Sequence, residues 1–236
     1  MSTPAMAASG GKSIRRSVVI IEDRARIPPW VDDLESYRLW ARSEEFPERG
    51  WFSFLNGELW VDLSMEEFFT HNQVKAAFTL AILSLLQKTP LGRFVPDRML
   101  LTNVAADLST EPDGLFFSWA SVQSGRLRLL ETEEAGCIEL EGTPDMVLEI
   151  VSRSTVRKEN VRLRDLYWRA GIPEYWLVDA RGETGHFDIL RHSPAGYVAT
   201  ASEDGWLPSA VLGHAFQLTQ QMDPLGHSLY TVAMRE

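Results

Sequence analysis

Two acidic residues lie within or next to apolar segments that are predicted to form buried strands, where their negative charge must be compensated. Glu149 lies inside the apolar run "MVLEIV" of residues 146–151, and strand alternation places it on the same face as Val147 and Val151. An ionised carboxylate in a buried strand must be paired, bound to a metal, or close to the end of the strand. Glu149 is therefore either an ion-pair partner for an arginine of the following helix, or a metal ligand or catalytic acid.

The second acid, Asp113, comes directly before the apolar residues 115–117 in "EPDGLFFSW". If the two predicted strands are neighbours, the Asp113 and Glu149 carboxylates converge. Carboxylate oxygens are the ligands that magnesium and manganese prefer. Such an ion polarises a phosphate and lowers the pKa of bound water. A nearby lysine would stabilise the transition state, and Lys158, nine positions after Glu149, is the candidate.

Charge is distributed unevenly along the chain. The net charge is -10, which argues against a large, indiscriminate nucleic-acid surface. Residues 152–164, however, contain five Lys/Arg and one acid. This patch is either a solvated helix face or a phosphate-binding surface, and its closeness to Glu149 favours the second interpretation.

The elements that must position these residues follow from periodicity and turn signals. Helices are predicted over residues 31–45, 64–88 and 155–170, the second with a capping box formed by Ser64 and Glu67. A hairpin is predicted over 51–63 around Asn56-Gly57. Further strands are predicted over 93–103, 114–119, 126–131, 146–151 and 174–180, followed by a hairpin in "GHFDILRHS" and "GYVAT".

This order of elements predicts one α/β (α+β) domain with a mixed sheet over residues 17–236, after a disordered tail, 1–16. Residues 205–236 show no clear period. No apolar run approaches the roughly 18 residues of a membrane span. The lone Cys137 cannot form an internal disulfide, which fits a reducing cytosol, and the histidines show no zinc-ligand spacing with it.

The segments "EPDGLFFSW" and "TPDMVLEIVSRSTVRKENVRLRDLYWRAGIPEYWLVDAR" resemble the bacterial restriction-endonuclease domain family of the Uma type, formerly a domain of unknown function. That family belongs to the PD-(D/E)XK nuclease superfamily. The resemblance runs over about residues 51–192, and the block 144–179 is its specific part. It implies a restriction-endonuclease-like mixed sheet flanked by helices, and magnesium- or manganese-dependent cleavage of DNA.

The resemblance gives Asp113 and Glu149 the two acidic positions of the superfamily motif. Pro144-Asp145 is a rival for the first position, but it lies only four residues before Glu149 on the same predicted strand. The superfamily lysine belongs two residues after the second acid, where this chain has Val151, and the family's displaced lysine belongs where it has Leu163. Lys158 is then the nearest replacement.

The resemblance also bears on the helix predicted over residues 64–88. Glu67, or its neighbour Glu66, would add a third metal-binding carboxylate, although a capping role for Glu67 is the alternative. His71, one turn further on, is predicted to contact substrate or to make a structural hydrogen bond.

Arg157 and Arg162 of the basic patch complete the predicted substrate contacts. Arg162 supplies charge but, unlike a lysine, cannot easily release a proton. The tryptophans are expected in the core or at a dimer surface rather than as base-stacking platforms.

The sequence supports a metal-dependent DNA endonuclease, and a homodimer would suit the cutting of two strands. A catalytically impaired nuclease fold that serves in nucleic-acid binding or assembly is the main alternative, because both expected lysine positions are apolar. A metal-dependent phosphoesterase that acts on a small nucleotide is a third hypothesis.

Overall fold

A computed structural model describes residues 19–21, 25–132, 136–152, 162–182 and 184–236. The helices are α1 (Leu34–Ala41), α2 (Gln73–Lys88), α3 (Trp119–Gln123) and α4 (Arg164–Arg169), and a π-helical turn, Phe68–Asn72, leads into α2. The strands are β1 (Val19–Ile21), β2 (Ala25–Ile27), β3 (Trp51–Leu55), β4 (Glu58–Asp62), β5 (Gly92–Pro96), β6 (Leu100–Asn103), β7 (Leu108–Thr110), β8 (Gly114–Ser118), β9 (Leu127–Thr132), β10 (Gly136–Gly142), β11 (Met146–Ile150), β12 (Glu174–Asp179), β13 (His186–Ser193), β14 (Gly196–Ala199), β15 (Leu207–Ser209), β16 (His214–Met222) and β17 (Ser228–Arg235).

The chain divides into two compact units, with the boundary between Pro47 and Glu48. The first unit contains the antiparallel pair β1–β2 and helix α1. Asp33 caps α1, because its carboxylate accepts a hydrogen bond from the Ser36 N–H at 2.8 Å. The second unit contains the remaining elements. The prediction that residues 17–236 form a single domain stays a prediction, and the predicted tail, 1–16, lies outside the described residues.

A six-stranded mixed sheet, hereafter the central sheet, has the order β14–β13–β12–β11–β8–β5. Strand β11 pairs in parallel with β12 and antiparallel with β8. The β8–β11 register joins Met146 to Phe116 and Leu148 to Gly114. Continuing this register by one residue places Asp113 opposite Glu149, so the beginning of β8 meets the end of β11.

Both faces of the central sheet are covered. Alternate residues of β11, Met146, Leu148 and Ile150, belong to a core shared with α2 and the last strands. Val147, between them, belongs to a second core that includes Leu163, Leu166 and Tyr167. The continuous apolar sequence of β11 reflects this burial on two sides.

Two further sheets complete the second unit. One is six-stranded, in the order β4–β3–β7–β6–β10–β9, and the other is the antiparallel sheet β15–β16–β17. The last sheet lies in the stretch for which the sequence showed no clear period. It is anchored to the central sheet by the carboxylate of Glu174, which accepts hydrogen bonds from Trp176 Nε1, Ser209 Oγ and the backbone N–H groups of Ala210 and Val211.

The predicted fold class is confirmed: strands and helices form an α+β arrangement with a mixed central sheet. The hairpin β3–β4 turns at Asn56 and Gly57, whose φ angles are 51° and 78°, as a tight two-residue turn requires. The long helix begins later than predicted, at a cap provided by Glu67 rather than Ser64. The described part of the helix predicted over 155–170 ends in α4. No described helix is long and apolar enough to cross a membrane.

Candidate active site

One cleft contains both acids singled out in the sequence. Asp113 enters it from the start of β8 and Glu149 from β11. The remaining lining residues come from the first hairpin, the segment before α2, and the ends of the central strands: Trp51, Asp62, Ser64, Met65, Glu66, His71, Glu111 and Ser152. The sheet register therefore brings together two carboxylates that are 36 positions apart in the sequence.

Asp113 is buried and is oriented by three groups. Its Oδ2 accepts a hydrogen bond from the backbone N–H of Ile150 at 2.8 Å and lies 3.2 Å from His71 Nε2. Its Oδ1 lies 3.1 Å from the Nζ of Lys75. The next residue along the chain is a glycine, Gly114, because the Cβ of any other residue there would come within 2.7 Å of the Phe94 ring. Asp113 thus begins its strand with its charge already compensated.

The groups around Asp113 shift the pKa values of the carboxyl and of His71 in opposite directions. Burial opposes the charged form of Asp113, but His71, Lys75 and the Ile150 N–H outweigh it and hold the pKa of the carboxyl below its ordinary value. Burial also opposes protonation of His71. The hydrogen bond and negative charge of Asp113 overcome that effect and raise the pKa of His71. The directions of these pKa shifts favour an ionised Asp113 carboxylate beside the charged ammonium of Lys75.

Among the described residues, a tyrosine holds Glu149. The alternative partner, an arginine of the following helix, stays a prediction, because residues 153–161 lie outside the described part of the chain. The hydroxyl of Tyr167, on α4, donates to Glu149 Oε1 at 2.5 Å, and both side chains are buried. Burial, followed by the charge of Glu149, raises the pKa of Tyr167 well above its ordinary value. The phenol therefore stays protonated and acts as a hydrogen-bond donor.

Replacing Tyr167 with phenylalanine is expected to lower the free energy of unfolding by roughly 2 kcal/mol, because it removes a buried donor to a charged acceptor. Urea denaturation followed by circular dichroism measures the change.

Tyr197→Phe is the matched comparison, because the buried hydroxyl of Tyr197 donates at 2.7 Å to a neutral acceptor, the carbonyl of Ile172. Its loss should be smaller, about 1 kcal/mol. An equal or larger loss in the Tyr197 variant would contradict the assignment of a carboxylate acceptor to Tyr167.

A third acid reaches the cleft from the segment before α2. Ligand atoms of Glu66, His71 and Asp113 all lie within 4.8 Å of one another, so the three could hold a metal ion. Glu67, the predicted metal ligand, caps the π-helical turn, where its Oε2 accepts from the N–H and hydroxyl of Thr70 at 2.5 and 2.6 Å, and its role as a metal ligand stays a prediction. Between these neighbouring acids, it is Glu66 that lies with His71 and Asp113.

Lys75 is a site residue that sequence reasoning missed, as it missed Tyr167. Besides Asp113, its Nζ contacts Glu66 Oε1 at 2.6 Å and Asp97 Oδ1 at 3.2 Å, and burial does not prevent these carboxylates from raising its pKa. A signal was present in the sequence. Lys75 precedes Phe78 and Ile82 by three and seven positions, so it falls within the apolar stripe of a predicted helix.

The sequence also predicted three cations near the site: Lys158, Arg157 and Arg162. Lys158 and Arg157 fall outside the described residues, so their predicted roles stay predictions. Arg162 forms an ion pair with Glu58 at 3.0 Å and lies over the ring of Trp60. Its role in substrate binding also stays a prediction. Val151 and Leu163, at the two expected lysine positions, are buried apolar residues.

Asp145, the rival for the first acidic position, has a local structural role. Its carboxylate accepts from the Ser118 N–H at 2.7 Å and from the Ser121 hydroxyl at 2.5 Å, and it forms an ion pair with Arg126. These contacts tie the end of β8 to α3. Asp113 is therefore the better candidate for the partner of Glu149.

Comparison with known proteins adds to this geometry. The model of the Uma2 family, described as "Putative restriction endonuclease", matches residues 34–221, which is most of the chain. The chain belongs to the Uma2 family. The matched segment includes Asp113 and Glu149, as well as Glu66, His71 and Lys75. The predicted resemblance is thus confirmed.

The Uma2 chain also resembles a solved structure. The crystal structure described as a "putative nuclease belonging to DUF820", from Anabaena variabilis, aligns with a TM-score of 0.56 and 17% sequence identity. The alignment covers 77% of this chain and 90% of that chain. At this identity the likeness shows a shared fold. A search of curated proteins found no significant match.

Proposed function

We propose that this Uma2 protein is a metal-dependent endonuclease that hydrolyses phosphodiester bonds of DNA, with magnesium or manganese as its cofactor. The observation that carries the proposal is the convergence of Asp113 and Glu149 in one cleft, beside Glu66 and His71. The family membership and the nuclease-like fold support the same reaction class.

The donor set fits a divalent cation. His71 Nδ1 is buried without a hydrogen-bond partner among the described residues, and it lies 3.6 Å from Glu66 Oε1. A buried polar atom without a partner is costly, and a metal ligand position would account for it. Asp113, Glu149, Glu66 and His71 would hold the ion. When bound, it would polarise the phosphate and lower the pKa of its water.

The chain's own groups hold these ligands in place. The Ile150 N–H fixes Asp113 through the main chain, and Tyr167 fixes Glu149 from α4. Second-layer contacts of this kind orient metal ligands and typically change metal affinity by about 10- to 100-fold when they are lost. The three carboxylates around Lys75 exceed its single positive charge, so the cluster retains negative charge for a cation.

A second candidate function is nucleic-acid binding or assembly without turnover. The observation in its favour is that Val151 and Leu163 leave both expected lysine positions buried and apolar. Within this alternative, the net charge of -10 favours assembly, because it opposes tight DNA binding outside a local basic patch.

Cleavage assays test the proposal directly. Purified protein is incubated with supercoiled plasmid, linear duplex, single-stranded DNA, RNA and a nucleotide phosphodiester, each with Mg²⁺, Mn²⁺ or EDTA. Cleavage of DNA that requires the metal is the expected result. Cleavage of the nucleotide alone would support a small-substrate phosphoesterase. No cleavage of any substrate under any condition would overturn the proposed activity and leave the binding function.

A further inference from the structure

Lys75 occupies a position that resembles a bound cation. Its Nζ is surrounded by carboxylate oxygens of Glu66, Asp97 and Asp113 at 2.6, 3.2 and 3.1 Å, and the residue is only 9% exposed. The three acids come from different parts of the fold: the segment before α2, the residue after β5, and the start of β8. A single ammonium group therefore holds three distant segments together.

Two of these acids also belong to the group that could hold a metal. Glu66 and Asp113 are shared between Lys75 and the cluster with His71. Asp113 divides its oxygens: Oδ1 faces Lys75, whereas Oδ2 faces His71 and the Ile150 N–H. The single carboxylate oxygen Glu66 Oε1 lies near both Lys75 Nζ and His71 Nδ1. Lys75 and a bound metal ion would consequently both be stabilised by the negative charges of Glu66 and Asp113.

Lys75 does not line the cleft that contains Glu149. It lines a separate groove along α2, with Ala76, Thr79 and Leu80 among its neighbours. The ammonium contacts Asp113 through Oδ1, whereas His71 and the Ile150 N–H contact the other oxygen, Oδ2. A group in this position can balance charge and orient ligands, but it does not need to leave when an ion enters the cleft.

We propose that Lys75 is a built-in counter-ion which competes with the divalent cation for the charge of Asp113 and Glu66, and so sets the affinity of the site for metal. This inference rests on the metal site of the proposed function, but not on turnover. Two positive charges a few ångströms apart repel each other strongly in a buried environment. The lysine thus stabilises the metal-free site and weakens metal binding.

Manganese binding in the absence of nucleic acid tests the inference. Free Mn²⁺ is measured by electron paramagnetic resonance during titration of the wild type, Lys75→Met and Lys75→Arg. The methionine variant is expected to bind Mn²⁺ about tenfold more tightly, because the competing charge is gone. The arginine variant keeps the charge and should bind like the wild type. Equal or weaker binding by Lys75→Met would overturn the inference.

Lys88→Met is the matched control, because Lys88 is an exposed lysine at the last position of the same helix. Its Mn²⁺ affinity should equal that of the wild type. If the Lys75→Met protein is unfolded without metal, Mn²⁺ is titrated against its circular dichroism signal. Recovery of the folded signal by Mn²⁺ supports the inference, and a failure to recover contradicts it.

These results are separable from the test of the proposed function. Metal binding that is strengthened in Lys75→Met, in a protein that cuts no DNA, would uphold the counter-ion and refute the nuclease. If Lys75→Met binds Mn²⁺ no more tightly than the wild type, and the wild type cuts DNA, the nuclease would be upheld and the counter-ion refuted. Loss of all Mn²⁺ binding in both proteins would remove the metal site and both proposals with it.

Discussion

Asp113→Asn is expected to lower metal-dependent DNA cleavage by a factor on the order of 10³, the scale of loss when one preorganised electrostatic group is removed from an active site. The asparagine amide keeps an oxygen that can accept from the Ile150 N–H, so the local backbone contact survives. It lacks the negative charge that would hold a cation. Initial rates of plasmid nicking with Mg²⁺ and Mn²⁺ measure the effect.

Asp188→Asn provides the control for this change. Asp188 lies on β13, where its carboxylate contacts His186 at 2.8 Å, and it does not line the cleft. The same loss of one charge should leave the cleavage rate unaltered. Wild-type cleavage by the Asp113 variant would show that the reaction occurs elsewhere, and unfolding of that variant is detected independently by circular dichroism.

Glu174→Ala is expected to produce the largest loss of stability, roughly 3 to 5 kcal/mol. Glu174 is 1% exposed and satisfies four donors, from Trp176, Ser209, Ala210 and Val211. Alanine would leave these buried donors unsatisfied where β15 joins the central sheet. Since a typical domain is stable by only about 5–15 kcal/mol, such a loss is severe. Urea denaturation measures it.

Two further variants test whether the loss of stability in Glu174→Ala comes from the missing carboxylate acceptor. Glu174→Gln keeps one acceptor oxygen, so its destabilisation should fall between those of the wild type and the alanine variant. Glu203→Ala removes an exposed acid from the loop before β15 and should be nearly neutral. Equal stability of the Glu174→Ala and wild-type proteins would show that this carboxylate does not anchor the last sheet.

The pair of acids could be predicted from the sequence because both depend on strand patterns. A carboxylate inside "MVLEIV" and another before "GLFF" are anomalies of local sequence. The pairing of their strands, which β9 and β10 separate along the chain, does not follow from local sequence. The partners of the acids were harder to predict. The choice between Glu66 and Glu67 depends on which residue caps the following turn. Tyr167 reaches Glu149 only after α4 packs on the sheet.

Lys75 and the last sheet show what local patterns cannot supply. In the sequence, Lys75 is a charged residue within the apolar stripe of a helix, with no visible partner. The packing of α2 then places it beside Asp97 and Asp113. Strand β16 has a single buried residue, Phe216, so its sequence has little of the alternation that predicts a strand. Strand β10 buries a carboxylate, Glu139, and was not predicted either.

The hydrogen bond from the Ile150 N–H to Asp113 has a consequence for mutational tolerance. The β8–β11 pairs end at Leu148 and Gly114, and the Asp113 carboxylate accepts the N–H that lies beyond them. Because this donor belongs to the peptide backbone, every amino acid except proline carries it. A saturation library at position 150 should therefore select for apolar volume alone, whereas position 113 should accept almost no exchange.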